Sequence, residues 1–167
     1  MKVLVTGGGG FLGQAICKQL VAAGHDVRSM SRQHYPALDA LGVEQRSGDI
    51  ASLDLVIDAA KGVDAIVHSA GRVGAWGRIE DYYETNVRGT DNVLAACELN
   101  EIDKLVLTSS PSVVHNGKDL EGVDESVPYA THFSSPYAQT KALAEQRVLA
   151  ANSAQLATVA LRPHFIW

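Results

Sequence analysis

The chain has 167 residues, 46% of them hydrophobic and 20% charged, with a formal net charge of −5. This is the composition of one globular domain with a core rather than of a disordered chain, and its acidic balance leaves no field to hold nucleic acid or an anionic membrane surface. Two cysteines, Cys17 and Cys97, and six histidines without metal-ligand spacing read as buried thiols in a reducing compartment and as no metal site.

From Met1 and Lys2 the chain enters "KVLVT", whose apolar run is too short for a signal peptide or a spanning helix, so a cytoplasmic protein is expected. "TGGGGFLG", residues 6–13, follows directly, and Phe11, Leu12, Ala15, Ile16, Leu20 and Ala23 then keep helical spacing up to Gly24. Glycines between a strand and an amphipathic helix form a phosphate loop: the first N–H groups of the helix attract an anion, and residues without Cβ let it approach. Two registers fit, Gly8-Gly10-Gly13 and Gly7-Gly10-Gly13, and spacing alone does not choose between them. Gly9 has no task in either.

The second strand is "DVRSM". A dinucleotide site places an acid near its end, about 20 residues past the glycines, to bind the adenosine 2′-hydroxyl. Here "VRSMSRQ" has none, and Ser31 and Arg32 instead offer a hydroxyl and a cationic fork suited to a 2′-phosphate. NADP (NADPH) is therefore favoured over NAD, the alternative being that Arg32 is a solvated surface charge. After a third strand, "VEQRS", the segment "SGDI" puts Asp49 and Ile50 where a carboxylate accepts the adenine amino group, although an Asp in a turn is also ordinary turn chemistry.

"DAIVHS" is the fourth strand. In the following loop, "GRVGAWG", Arg72 and Trp76 either touch substrate or merely pack, and the apolar helix from about Ile79 to Leu99 forms a homodimer face or packs on the sheet. "KLVLTSS" is a fifth strand ending in two serines. "SSPYAQTKALAE" opens a helix with Ser135 as cap and Pro136 at its first position, which brings Tyr137 and Lys141, four apart, onto one face. "ATVALR" is the sixth strand. Continuous apolar strands alternating with helices predict an α/β chain with a doubly wound parallel sheet. A chain stopping at the apolar Phe165, Ile166 and Trp167 reads as the N-terminal portion of a longer protein.

In open α/β sheets, chemistry sits at the carboxyl ends of the strands. A strand-end serine, a phenol and an ammonium beside a phosphate loop make a carbonyl-reducing site. The phenol protonates the oxygen as hydride reaches the carbon, the ammonium stabilises the phenolate, and a serine hydroxyl orients the carbonyl.

The motifs "TGGGGFLG", "GDI", "HSAG", "NVRGTDN", "TSS", "YAQTK" and "LRP", in this order, resemble the extended short-chain dehydrogenases/reductases. "TSSPSVVHNGKDLEGVDESVPY" and "KALAEQRVLAAN" resemble its 3β-hydroxysteroid dehydrogenase/isomerase branch, and "GRVGAWG" is a further likeness to members that reduce a β-keto acid with NADPH. The resemblance implies a Rossmann-type sheet of order 3-2-1-4-5-6, incomplete at the C-terminus, with residues 1–167 as the NAD(P)-binding domain and the substrate-binding part beyond it. It implies Gly7, Gly10 and Gly13 as the phosphate-loop glycines and Ser110, Tyr137 and Lys141 as catalytic. It further implies Phe11, Leu12, Ser69, Ala70 and Pro163 beside the cofactor, with Tyr137 and Lys141 contacting it too, and Asn86 to Thr90 as support for the central helix. The activity implied is NADP-dependent interconversion of a 3-oxo and a 3-hydroxy group on a small hydrophobic substrate, 2-alkyl-3-oxoalkanoate-like or sterol-like. The alternatives are an NAD-dependent nucleotide-sugar epimerase or dehydratase and a noncatalytic NADP-sensing protein.

Overall fold

The structure, a computed structural model, describes residues 1–74, 76–117, 119–164 and 166. Six strands, β1 (Lys2–Thr6), β2 (Asp26–Ser31), β3 (Glu44–Ser47), β4 (Ala65–His68), β5 (Lys104–Thr108) and β6 (Ala157–Leu161), fall on the six runs expected from sequence. They form one sheet in the order β3-β2-β1-β4-β5-β6, with every neighbouring pair parallel. This is the expected Rossmann-type, doubly wound arrangement.

The helices are α1 (Phe11–Ala22), α2 (Pro36–Asp39), α3 (Leu53–Ala60), α4 (Ile79–Tyr82), α5 (Gly89–Leu99) and α6 (Pro136–Ala150). Successive residues of a strand point to opposite faces, so Leu4 and Val5, both fully buried, enter different cores. Val5 packs with Cys17 of α1 and Leu38 of α2. Leu4 packs on the other face with Val56 of α3, Val93 and Ala96 of α5 and Val148 of α6. A β1 covered on both sides must be apolar throughout, which is why its sequence does not alternate.

The two thiols lie in these separate cores, where burial pushes Cys17 up to about 11 and Cys97 up to about 12. Among the described residues no helix is long and apolar enough to cross a membrane, and no group of three or more His, Cys, Asp and Glu side chains could hold a metal ion. Phe165 and Trp167, on which the expectation of a longer protein partly rests, lie outside the described residues, while Ile166 is exposed.

The helix expected from Ile79 to Leu99 is not uniform. Between α4 and α5, residues Tyr83–Arg88 form a π-helical segment, where the Thr90 hydroxyl donates to the Asn86 carbonyl at 2.6 Å and competes with the regular ladder. Of its apolar residues, Tyr82, Val87, Val93 and Ala96 are buried, whereas Ile79, Tyr83 and Leu99 are exposed alongside Glu84, Arg88 and Glu98. Packing within the chain accounts for the buried part of the apolar pattern.

Candidate functional site

Gly7 leaves β1 with φ +73, a left-handed backbone that side chains disfavour. A Cβ on Gly7 would lie 2.8 Å from the Ala70 backbone, and one on Gly13 would lie 2.1 Å from the Gly7 carbonyl oxygen, so α1 packs directly on the loop. The left-handed turn thus falls on Gly7 and not on Gly8, whose Cβ would instead strike Ser29 Oγ. The expectation that Gly9 has no task is corrected: a Cβ there would overlap the Tyr35 ring at 2.0 Å. Its N–H also donates to Ser31 Oγ, and its carbonyl accepts from Gln14 Nε2.

A Cβ on Gly10, by contrast, would meet only the Gly7 carbonyl oxygen, at 3.3 Å. Gly10 caps α1 without a side-chain hydrogen bond, and no acidic residue stands in the first turn. The helix therefore presents its first N–H groups and positive dipole end to an open space, a cradle that fits a diphosphate.

A cavity of about 250 Å³ lies on the β2 side of this cradle. It brings together the expected Ser31, Arg32, Asp49, Ile50, Ser69 and Ala70, with Gly7 and Gly10. Arg32 is exposed and has no ion-pair partner among the described residues. Asp49 is exposed too, and its Oδ1 accepts from the Ala51 N–H at 2.9 Å, so the turn chemistry is present at a carboxylate that also borders the cavity.

On the β5 side opens a larger cavity of about 800 Å³. Gly7, Gly10, Phe11, Leu12, Gly13 and Ser69 line it from the loop, and Ser110, Tyr137, Lys141 and Pro163 from the far wall. Gly7, Gly10 and Ser69 border both cavities, which makes one groove along the carboxyl ends of the strands. Every cofactor and catalytic residue expected from sequence thus borders this groove.

Local chemistry explains the far wall. Ser135 Oγ accepts from the Ala138 N–H and Pro136 occupies the first turn, so α6 starts where Tyr137 and Lys141 project from successive turns. Lys141 is 6% exposed, and its Nζ donates to the Thr108 carbonyl at 2.5 Å. Burial, opposed by the charge of Glu145, pulls it down to about 8. Ser110 Oγ accepts from the Ser112 N–H at 3.2 Å and from the Ser112 hydroxyl at 2.9 Å.

Sequence reasoning did not supply the contacts behind three features. The first distinguishes the two serines: both border the larger cavity, but Ser109 is buried and its hydroxyl donates to Glu145, while the Ser110 hydroxyl accepts from Ser112. The second is Glu145 itself, 1% exposed, whose carboxylate also accepts from Tyr129 Oη at 2.9 Å and from Arg162 Nη2 at 2.6 Å. Its only signal was a charge four residues past Lys141 on the same helix face.

The third is a polar seam under the groove. His68 joins Thr6 Oγ1 (2.7 Å) to Thr90 Oγ1 (3.1 Å); burial, then the charge of Lys141, pulls it down to about 3 and keeps it neutral. Asn86 Oδ1 accepts from the Arg72 N–H, and its Nδ2 donates to the Arg72 carbonyl and to Thr140 Oγ1. Asn86 thereby clamps the Arg72 backbone to α6, in keeping with the supporting role implied by the resemblance. Arg72 stacks over the Tyr82 ring at 5.2 Å and also borders the smaller cavity, while Trp76 is 91% exposed and its carbonyl accepts from Tyr82 Oη.

Residues 4–167 match the 3-beta hydroxysteroid dehydrogenase/isomerase family. The chain belongs to that family. It is 56% identical over 169 residues to a 2-alkyl-3-oxoalkanoate reductase of Stenotrophomonas maltophilia, covering 100% of this chain and 51% of the relative. To the enzyme of that name from Shewanella oneidensis it is 47% identical, covering 98% and 44%. Among solved structures, a Thermus thermophilus UDP-glucose 4-epimerase complexed with NAD superposes with a TM-score of 0.84 at 30% identity, over 97% of this chain and 54% of that one. The chain spans about half the length of the curated relatives it matches.

Proposed function

We propose that this family member is an NADP-dependent oxidoreductase interconverting a 3-oxo and a 3-hydroxy group on a hydrophobic substrate of the 2-alkyl-3-oxoalkanoate or sterol type. The observation that carries the reading is that Ser110, Tyr137 and Lys141 share one cavity with the uncapped start of α1. When bound, the dinucleotide supplies the hydride. The N–H groups of α1 and the open space at Gly10 hold its diphosphate, and Ser31 with Arg32 takes the 2′-phosphate. The Ser110 hydroxyl donates to the substrate carbonyl oxygen and orients it, and the Tyr137 phenol delivers the proton that converts this oxygen to a hydroxyl. The Lys141 ammonium, steadied by the Thr108 carbonyl, stabilises the phenolate that remains.

Residues 1–167 act in this reading as the dinucleotide-binding domain, and the additional length of the relatives is where a substrate pocket would be completed. The two buried, unpaired thiols fit a cytoplasmic location. The names of the two reductases support the substrate class. The likeness to the NAD-bound epimerase supports a nucleotide-sugar reading, against which stands the absence of an acid at the end of β2. Three retained reactive side chains stand against a noncatalytic sensor.

The discriminating assay offers the complete protein a 2-alkyl-3-oxo acid or a 3-oxosterol with NADPH, and UDP-glucose with NAD. Oxidation of NADPH with either of the first two is expected; turnover confined to the nucleotide sugar would overturn the reading. Replacing Arg32 with Ala is expected to raise the KM for NADPH about tenfold or more, by loss of a charge-assisted contact, and to leave the KM for NADH unchanged. Equal weakening of both coenzymes would remove the 2′-phosphate from Arg32.

A further inference from the structure

We propose that Glu145 is a positioning residue for the reaction: its single buried carboxylate ties β5, α6 and β6 together and so aims Ser110, Lys141 and Pro163 into one cavity. The inference rests on the oxidoreductase reading above and deepens it.

Four donors from three other parts of the chain converge on this side chain. Ser109, next to β5, donates its hydroxyl to Oε2. Tyr129, in the segment before α6, donates to Oε1 at 2.9 Å. Arg162, which follows β6, donates from Nη2 to Oε1 at 2.6 Å and from Nε to both oxygens at 3.1 and 3.2 Å, and it stacks over the Tyr129 ring at 5.6 Å. Two of the three anchored residues adjoin residues that line the cavity: Ser109, itself on the cavity wall, precedes Ser110, and Arg162 precedes Pro163. Holding the Ser109 hydroxyl and the Arg162 guanidinium fixes the backbone from which Ser110 and Pro163 reach the cavity. Glu145 itself stands one helical turn past Lys141, with Tyr137 one turn before, so the anchor and the reactive groups share one face of α6.

The charge matters as well as the contacts. Burial pushes the Glu145 carboxyl up, but its Arg162, Ser109 and Tyr129 donors outweigh this and hold it below the ordinary carboxylate range, so it is an anion at neutral pH. Among the described residues, the ionisable groups near Lys141 are Glu145 on α6, the neutral His68 on β4 and, sharing its cavity, Tyr137, with Arg162 and Tyr129 on the Glu145 carboxylate. Glu145 is the anion among them. Without it, the ammonium would face desolvation and the unpaired Arg162 guanidinium, and would lose its proton at lower pH.

The test is steady-state NADPH oxidation by the complete protein across pH, with melting temperature and NADPH affinity measured alongside, for Glu145→Gln and Glu145→Asp. Glu145→Gln is expected to lower kcat about 100-fold through misplacement of the reacting groups, with the KM for NADPH within about threefold of wild type. The alkaline limb of its kcat profile should move to lower pH, and Glu145→Asp should recover part of both changes. Wild-type kcat in Glu145→Gln, or a loss with the alkaline limb unmoved and nothing recovered by Asp, would reduce Glu145 to a structural ion pair. Should Glu145→Gln fail to fold for want of a partner for Arg162, the double variant Glu145→Gln/Arg162→Met removes both buried charges and is expected to show the same limb shift; an unmoved limb there overturns the proposal. Tyr137→Phe is run in parallel. Turnover retained by that variant defeats the oxidoreductase reading and this inference with it, whereas loss of turnover in Tyr137→Phe with wild-type behaviour in Glu145→Gln defeats this inference alone.

Discussion

Tyr137→Phe in the complete protein is expected to lower kcat about 100- to 10,000-fold, the usual contribution of a positioned general acid, with NADPH affinity nearly unchanged. The phenol is the one group of the proposed trio able to hand a proton to the nascent hydroxyl and be restored by an adjacent cation. Ser110 orients, and Lys141 is engaged with the Thr108 carbonyl at 2.5 Å. The substitution is also a clean one. Among the described residues the Tyr137 hydroxyl makes no hydrogen bond within the protein, so its removal leaves no buried partner unsatisfied and the melting temperature should hold. Unchanged kcat would assign the proton to another group, and a fall in melting temperature matching the fall in rate would make the effect structural.

Gly13→Ala is expected to have the largest effect on the cofactor cradle. Its Cβ would lie 2.1 Å from the Gly7 carbonyl oxygen and 2.7 Å from the Gly8 Cα, and both obstacles are backbone. Overpacking of this kind typically costs about 1–3 kcal/mol, and here the strain can be relieved only by lifting α1 off the loop, which opens the cradle. Both melting temperature and NADPH binding should therefore fall. Gly10→Ala separates the two effects: its Cβ would meet one backbone atom, the Gly7 carbonyl oxygen at 3.3 Å, a tight contact that a small shift relieves, so stability should fall much less than in Gly13→Ala while binding is lost to a methyl group in the diphosphate's place. Gly9→Ala falls between them, because its methyl group displaces the Tyr35 ring, a side chain that can yield. Thermal melts and fluorescence titration with NADPH distinguish the three variants. A melting temperature for Gly10→Ala as low as that for Gly13→Ala would mean that the Gly7 carbonyl cannot yield to the Gly10 methyl group.

Much of the fold was legible because its cues are local. "KVLVT", the glycines and the helical spacing from Phe11 to Ala23 each declare themselves within a few residues, and a both-sides-buried strand next to a phosphate loop admits few architectures. The break in the 79–99 helix was not legible, since a π segment keeps the same apolar residues inward and changes only their rotation. Gly9 looked idle because its neighbour, Tyr35, lies beyond the next strand.

The site divides along the same line. From the sequence alone came the cofactor cradle, the Tyr137 and Lys141 pair and the lack of an acid after β2, for these depend on spacing along one element or on the absence of a residue from a defined place. Only the tertiary structure decided that the Ser109 hydroxyl is taken by Glu145 and the Ser110 hydroxyl by Ser112, that Glu145 is a buried anion held by Arg162, Tyr129 and Ser109, and that Asn86 clamps the Arg72 backbone to Thr140. A charged residue on a helix reads as solvated until its partners are known. Those partners come from segments that only the packing of α6 against β5 and β6 brings together, and desolvation acts on a charge through its surroundings in space, which one-dimensional spacing does not encode.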